Sequence, residues 1–277
     1  MSGVDNLIVE ARTALLDAVE ALTAHKDAVV LIGAQAIYLR TGNATFALAE
    51  ATKDSDLAID ARTLGEDPRL EEAMTAAGFI LNPVSKQPGA WMSPTGIPVD
   101  LMVPEYLAGS GSRRGVRIPP HSKHSARRAA GIEAAIVDKA PMTVDALDGS
   151  GRSAIINVAG PAALLVAKLH KIGERVGSPD RLNDKDAHDA YRLLVATETE
   201  DLADTVRQLL ADELAAAVTA QALTCLAQLF GSPQSLGSAM AGRAEESIGQ
   251  PATVSASVSL LAQDLLSALQ RESRTDS

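Results

Sequence analysis

The sequence predicts an α+β protein, a mixed sheet flanked by helices and followed by a C-terminal helical bundle. Three observations carry that expectation. Short apolar runs bounded by Gly, Pro and polar clusters recur through the first 159 residues, as strands between turns do. Gly160-Pro161 then marks a change of character, because Pro suits the first turn of a helix. Beyond it, Leu and Ala recur at the three- and four-residue spacings of amphipathic helices. The chain of 277 residues is thereby divided into an α/β domain, 1–159, and a helical domain, 160–277. Its length leaves no doubt about burying a sizeable core.

Taken in order, Val4 to Lys26 places Leu7, Ala11, Leu15, Ala18 and Leu22 on one helical stripe. Ala28 to Ile32 reads as a buried strand, and Gly33 lets the backbone turn sharply into a helix opened by Ala34, Gln35 and Ala36. Amides at such a helix start point outward and attract phosphate. The cluster Thr52-Lys53-Asp54-Ser55-Asp56-Leu57 opens the next strand, which runs to Ile59. Strand period two sets Asp54 and Asp56 on one face, with Ser55, Leu57 and Ile59 on the other. The apolar face turns inward, so the two acids share the open one. Carboxylates held so close repel, by roughly 1 kcal/mol at about 4 Å in water and about 4 kcal/mol at an intermediate effective dielectric. A divalent cation, a shared proton or a solvated turn would each relieve that repulsion.

Asp67 to Ala77 is predicted helical and stops at Gly78. Phe79 to Leu81 and Ala90 to Ser93 read as extended. After the turn Pro94-Thr95-Gly96, Ile97, Val99, Leu101 and Val103 alternate on one strand face, so Asp100 points the other way. If that strand neighbours the Asp54 strand, Asp100 joins the first two acids. Glu133 to Val137 reads as a short helix or bend. Met142 to Leu147 and Ser153 to Val158 form a hairpin around Asp148-Gly149-Ser150-Gly151. In the helix from Pro161 to Arg175, Lys168 interrupts the apolar stripe of Leu164, Leu165, Leu169 and Ile172, so it either snorkels outward or meets an anion. The helix from Asn183 to Leu194 carries Asp186 and Asp189 on one face near its N-terminal end. Helix capping and dipole effects explain part of that acidity. Asp201 to Leu210, Glu213 to Phe230 and Ser255 to Leu269 read as further helices, Gly231 to Pro251 as a loop or short helix, and Arg271 to Ser277 as a disordered tail.

The formal net charge of −10 argues against a surface built for non-specific nucleic-acid binding. One segment runs against it. Between Glu105 and Glu133 there is no acid, while Arg113, Arg114, Arg117, Lys123, Arg127 and Arg128 fall there with His121 and His124. It is either a solvated basic loop or a phosphate-binding surface for a nucleotide or an RNA backbone. The histidines lack a compact zinc spacing. Ser55 and Cys225 have the wrong neighbours for nucleophiles and read as packing residues. No uninterrupted apolar run of about 18 residues is present, so no membrane span is expected. With no secretory signal at its start and one cysteine, the chain is expected in the cytoplasm.

The succession of apolar strand, Gly turn, helix, Asp-x-Asp strand and third strand carboxylate resembles the nucleotidyltransferase superfamily related to DNA polymerase beta. Gly33, Asp54, Asp56 and Asp100 are the matching residues. Ala34 departs from the Ser or Gly usual after the first Gly, which leaves amide contacts to a triphosphate but not a hydroxyl one. With the segments AKLHKIGER and KDAHDAYRLL, the chain resembles more narrowly the AbiEii/MenT-type nucleotidyltransferase toxins of toxin-antitoxin systems. The likeness spans roughly Ala28 to Leu194. It implies a nucleotidyltransferase-fold first domain and a helical second domain that contributes site residues. It further implies Asp54, Asp56, Lys168 and Asp186 as catalytic residues, Gly33, Ala34 and Lys168 as nucleotide-binding residues, and Mg²⁺ on Asp54, Asp56 and Asp100. Lys185 and Asp189 take supporting roles. The implied reaction moves a nucleoside monophosphate from a nucleoside triphosphate to an RNA such as the tRNA 3′ end, and the implied partner is an antitoxin protein. An inactive nucleotide- or protein-binding member of the fold, and an antibiotic-modifying nucleotidyltransferase, are the alternatives.

Overall fold

The computed structural model describes residues 3–42, 54–110, 114–246 and 249–272, with side chains from Leu7 to Arg271 within those segments. Thr52, Lys53, Arg113 and the tail beyond Glu272 lie outside the described residues. In chain order the elements are α1 (Gly3–Ala21), β1 (Val29–Ile32), α2 (Gly33–Thr41), β2 (Ser55–Ile59), α3 (Leu70–Ala76), β3 (Ile80–Leu81), β4 (Ala90–Met92), β5 (Pro98–Pro104) and β6 (Arg127–Ala129). There follow α4 (Ala134–Val137), β7 (Lys139–Asp145), β8 (Ser153–Ala159), α5 (Pro161–Gly173), α6 (Asp184–Ala196), α7 (Thr199–Ala211), α8 (Ala216–Phe230), α9 (Leu236–Arg243) and α10 (Pro251–Glu272).

The described strands form one mixed sheet in the order β3-β4-β5-β2-β1-β8-β7, with β6 paired to β5 beyond the end of β4. β1 runs through its centre, antiparallel to β2 and parallel to β8. All four of its residues are buried, which is why its sequence is continuously apolar and not alternating. The inward face read for β5 and the residue before it is buried at Ile97, Val99, Leu101 and Val103, while the opposite face is half-buried at Pro98 and Asp100 and buried from Met102 on. The Ser55 face of β2 packs on α1. There Arg12 Nε donates to Gln35 Oε1 at 2.8 Å, Gln35 Nε2 to Ser55 Oγ at 3.3 Å, and Ser55 Oγ to the Ala11 carbonyl at 3.3 Å. Ser55 is thus a buried, hydrogen-bonded packing residue, as its neighbours in sequence implied.

The predicted helix at 67–77 starts later, at Leu70, because Pro68 and the residues around it form a bend that His25 and His121 hold. His25 Nε2 lies 2.6 Å from the Pro68 carbonyl, and His121 Nδ1 accepts from the Leu70 amide at 3.1 Å. His121 is therefore buried structure and no part of a basic surface. The hairpin of β7 and β8 pairs from Lys139↔Ala159 to Asp145↔Ser153. Its chain reversal is closed by the Ala146 amide donating to the Arg152 carbonyl. The 231–251 stretch contains α9.

Helix α5 begins at the predicted Pro161, and its first turn is capped from outside. The Asp138 carboxylate accepts from the Ala163 amide at 3.0 Å, and a Cβ on Gly160 would lie 1.9 Å from Asp138 Oδ1. Helices α5 and α6 pack on α2. Arg192 Nη2 donates to Thr41 Oγ1 at 2.8 Å with its guanidinium over the Tyr38 ring. Helices α7 to α10 form the bundle behind them. Among the described residues α10 has the length and mean hydropathy, 1.3, that would suffice to cross a membrane. Its Val254, Val258, Ala262, Leu265 and Ala268 are buried against the bundle, the stripe of a helix that packs on protein.

Candidate active site

The register of three strands assembles the carboxylates. Asp56 stands opposite Ile32 of β1 and opposite Asp100 of β5. Residues paired in register on neighbouring strands present their side chains to the same face, so Asp56 and Asp100 are side by side. Asp54, two residues before Asp56, is exposed at the mouth of the strand. Gly33 follows Ile32 directly and has φ +71°. A Cβ there would lie 2.3 Å from Asp56 Oδ2, so the Asp56 carboxylate occupies space that any other residue would fill. The glycine that reads as a turn residue is also the wall of an acidic site.

Protein packs densely around the Asp56 carboxylate although part of its surface opens to the cleft. Burial, then the like charges of Asp54 and Asp100, push its pKa up to about 7, against the pull of Arg127 and Lys171. The folded pKa thus lies above the ordinary 3.8. The stability it contributes is full below that ordinary value and is lost as pH rises towards 7. In chelator, Asp56→Asn is therefore expected to melt higher than wild type at pH 8 and to lose most of that advantage at pH 4. Equal melting temperatures at pH 8 would contradict the crowding. Hard oxygen donors with uncompensated negative charge fit a divalent cation such as Mg²⁺. Among the described residues no three Asp, Glu, His or Cys side chains converge as one metal-holding group. Asp100 Oδ2 instead accepts from Arg127 Nη2 at 2.8 Å.

Facing the carboxylates is a row of cations from α5 and the turn after it. Lys168 does not snorkel. It is buried, with Nζ 2.8 Å from Asp186 Oδ1 and 2.7 Å from Asp189 Oδ2. Burial would lower its pKa, but Asp189 and Asp186 outweigh that and raise it, so it is a permanent charge. Asp186 also takes Lys171 at 2.9 Å and Arg175 at 3.3 Å. Burial alone would raise the Asp186 pKa, yet Lys168 and Lys171 hold it below the ordinary range. Asn183 caps α6 by accepting from the Lys185 amide at 3.0 Å, which frees Asp186 and Asp189 from that duty.

These two walls enclose a cleft of about 1000 Å³. Of the residues singled out from sequence, Gly33, Asp54, Asp56, Asp100 and Lys168 line it. Asp186 lies behind Lys168 and Lys171 as their anchor, and Ala34 is buried in α2. The basic segment divides. Arg114, Arg127 and Arg128 line the cleft. His121 is committed to Gly65 and Leu70, and Lys123 and His124 are exposed and do not line the cleft. Lys171, Arg175 and Arg181 also line it without having been assigned a role from sequence. The first two sit three and seven residues after Lys168, a spacing that keeps them on its side of the helix and could have marked them.

A family model described as Nucleotidyltransferase matches residues 10–215. That stretch holds both walls of the cleft. Among solved structures, the chain is similar to the crystal structure of an antigenic nucleotidyltransferase-like protein from Paracoccidioides brasiliensis. The likeness covers 79% of this chain and 93% of that one, at 15% identity and a TM-score of 0.38. No curated protein matches.

Proposed function

We propose that this chain, which belongs to the nucleotidyltransferase family, transfers a nucleoside monophosphate from a nucleoside triphosphate to a terminal hydroxyl of RNA. The observation that carries the reading is the cleft itself, with Asp54, Asp56 and Asp100 on one wall and Lys168, Lys171 and Arg175 on the other. A triphosphate laid between them would put anionic oxygens against the cations and its reacting phosphorus towards the carboxylates.

Asp54 and Asp56 would hold Mg²⁺, which when bound supplies Lewis-acid polarisation of the phosphate. The acceptor oxygen bonds to the α-phosphorus, the bond to the bridging oxygen breaks, and its electron pair leaves with pyrophosphate. The hydroxyl proton departs to the open side of the cleft. Lys168 has three N–H groups. Asp186 accepts one of them and Asp189 is ion-paired with the same ammonium, and the remaining hydrogen-bonding capacity would serve charge on the phosphates. Because the carboxylates hold the ammonium before substrate arrives, little reorganisation is needed as charge develops. The Gly33 turn brings the first amides of α2 to the same end of the cleft. Arg114 and Arg128 stand at the cleft for the acceptor backbone.

The likeness of AKLHKIGER and KDAHDAYRLL to the AbiEii/MenT-type toxins supports a narrower reading. The chain is then the toxin of a toxin-antitoxin system, acting in the cytoplasm on RNA such as the tRNA 3′ end and restrained by an antitoxin protein. The test is to incubate the protein with each labelled triphosphate, Mg²⁺ and total RNA beside Asp56→Asn. Label should enter RNA with wild type and fall at least about a hundredfold in the variant, the size of effect seen when a charge-stabilising group is removed. Equal labelling by both proteins, or none with any triphosphate, would overturn the proposal.

A further inference from the structure

We infer that Arg127 stands in for a second cation at the acidic wall, so that the site takes one divalent ion on Asp54 and Asp56 while Asp100 serves as the anchor of Arg127. The inference rests on the nucleotidyltransferase reading and deepens it. A pair of ions shared among three carboxylates would need Asp100 to face the metal, and the structure gives Asp100 another partner. Its Oδ2 lies 2.8 Å from Arg127 Nη2, with side chains 29% and 22% exposed for the arginine and the aspartate. That is closed enough to weaken screening and open enough to face the cleft.

The guanidinium is delivered by the fold. Arg127 pairs in parallel with Met102, two residues beyond Asp100 on β5, and is bridged on its other side by Gly115. A Cβ on Gly89 would lie 2.3 Å from the Leu101 carbonyl oxygen and 2.4 Å from the Arg127 amide nitrogen, so three segments close in where β6 meets β5. Arginine remains charged at any working pH, and its charge also acts on Asp56. Lys171 and Lys185 act on Asp56 and Asp54 from the opposite wall. With Arg127 set against Asp100, the two negative charges of ionised Asp54 and Asp56 are left to balance one divalent ion.

The experiment counts Mn²⁺ bound to the full chain without nucleotide, from the loss of the free-ion electron paramagnetic resonance signal. Wild type should bind one ion per chain at the cleft, and Asp56→Asn should remove it. Asp100→Asn and Arg127→Lys should each leave one, whereas Arg127→Gln should bind two. Adding Asp100→Asn to Arg127→Gln should return the count to one. Circular dichroism on every variant separates lost sites from lost structure. Two ions on wild type, loss of the ion in Asp100→Asn, or one ion on a folded Arg127→Gln would overturn the role of Arg127 while leaving the nucleotidyltransferase reading intact. Binding that is absent from wild type, or that Asp56→Asn does not change, would take down the metal reading and this inference together.

Discussion

Lys168→Met is expected to reduce nucleotidyl transfer by about two to three orders of magnitude and to destabilise the fold by about 3–5 kcal/mol. Both effects follow from where the ammonium sits. Asp186 and Asp189 are almost fully enclosed, with side chains 5% and 3% exposed, and Lys168 is the cation within 3 Å of both. Removing it leaves carboxylates in a low-dielectric setting where solvation cannot replace the lost partner. Asp186 keeps Lys171 and Arg175, so the heavier loss falls on Asp189. The double variant Lys168→Met/Asp189→Leu should therefore recover much of the stability and none of the activity, as urea titration and the labelled-triphosphate assay would read. A single variant as stable and active as wild type would remove Lys168 from the site. Acid should act on the same cluster. The depressed pKa of Asp186 contributes stability above the ordinary carboxylate range that is lost as pH falls through its folded value.

Gly33→Ala is expected to lower transfer to the level of Asp56→Asn while the protein stays folded. Alanine at φ +71° carries about 1–3 kcal/mol of backbone strain, which a domain of this size tolerates. The larger consequence is steric. The new methyl group would sit 2.3 Å from Asp56 Oδ2, so the carboxylate must leave the direction in which it faces Asp54 and Asp100. Ala34→Gly, one residue on, serves as the control, because it keeps the backbone amide at the start of α2 and removes only a buried methyl group that lines no part of the cleft. The labelling assay with circular dichroism distinguishes the two. Near-normal transfer by folded Gly33→Ala would mean that the position of Asp56 is not critical.

Much of the sheet was legible because strand and helix periods are local. Alternating Ile97, Val99, Leu101 and Val103 identified the face of β5, and from that the opposite orientation of Asp100 followed. Ser55 and Asp56 were separated onto two faces by the same rule. Lys168 was ambiguous for an equally physical reason. A lysine on an apolar stripe can extend to water or meet an acid, and nothing within its own helix decides between them. The structure brings α6 alongside α5 and supplies Asp186 and Asp189. The basic segment read as one patch because charge was summed along the chain, whereas folding turns Arg114, Arg127 and Arg128 into the cleft and His121 into the core.

By itself the sequence determined the α+β succession, the shared face of Asp54 and Asp56, and the start of the second helical group at Pro161. Each is a property of neighbours within a few residues, governed by backbone geometry and side-chain period. The pairing of β5 with β2, Asp100 committed to Arg127, Lys168 held by two acids, and a Gly33 that can be nothing larger were decided by the tertiary structure. Those depend on which distant segments share a few ångströms of space. Coulombic and steric energies are set by that separation, not by separation along the chain.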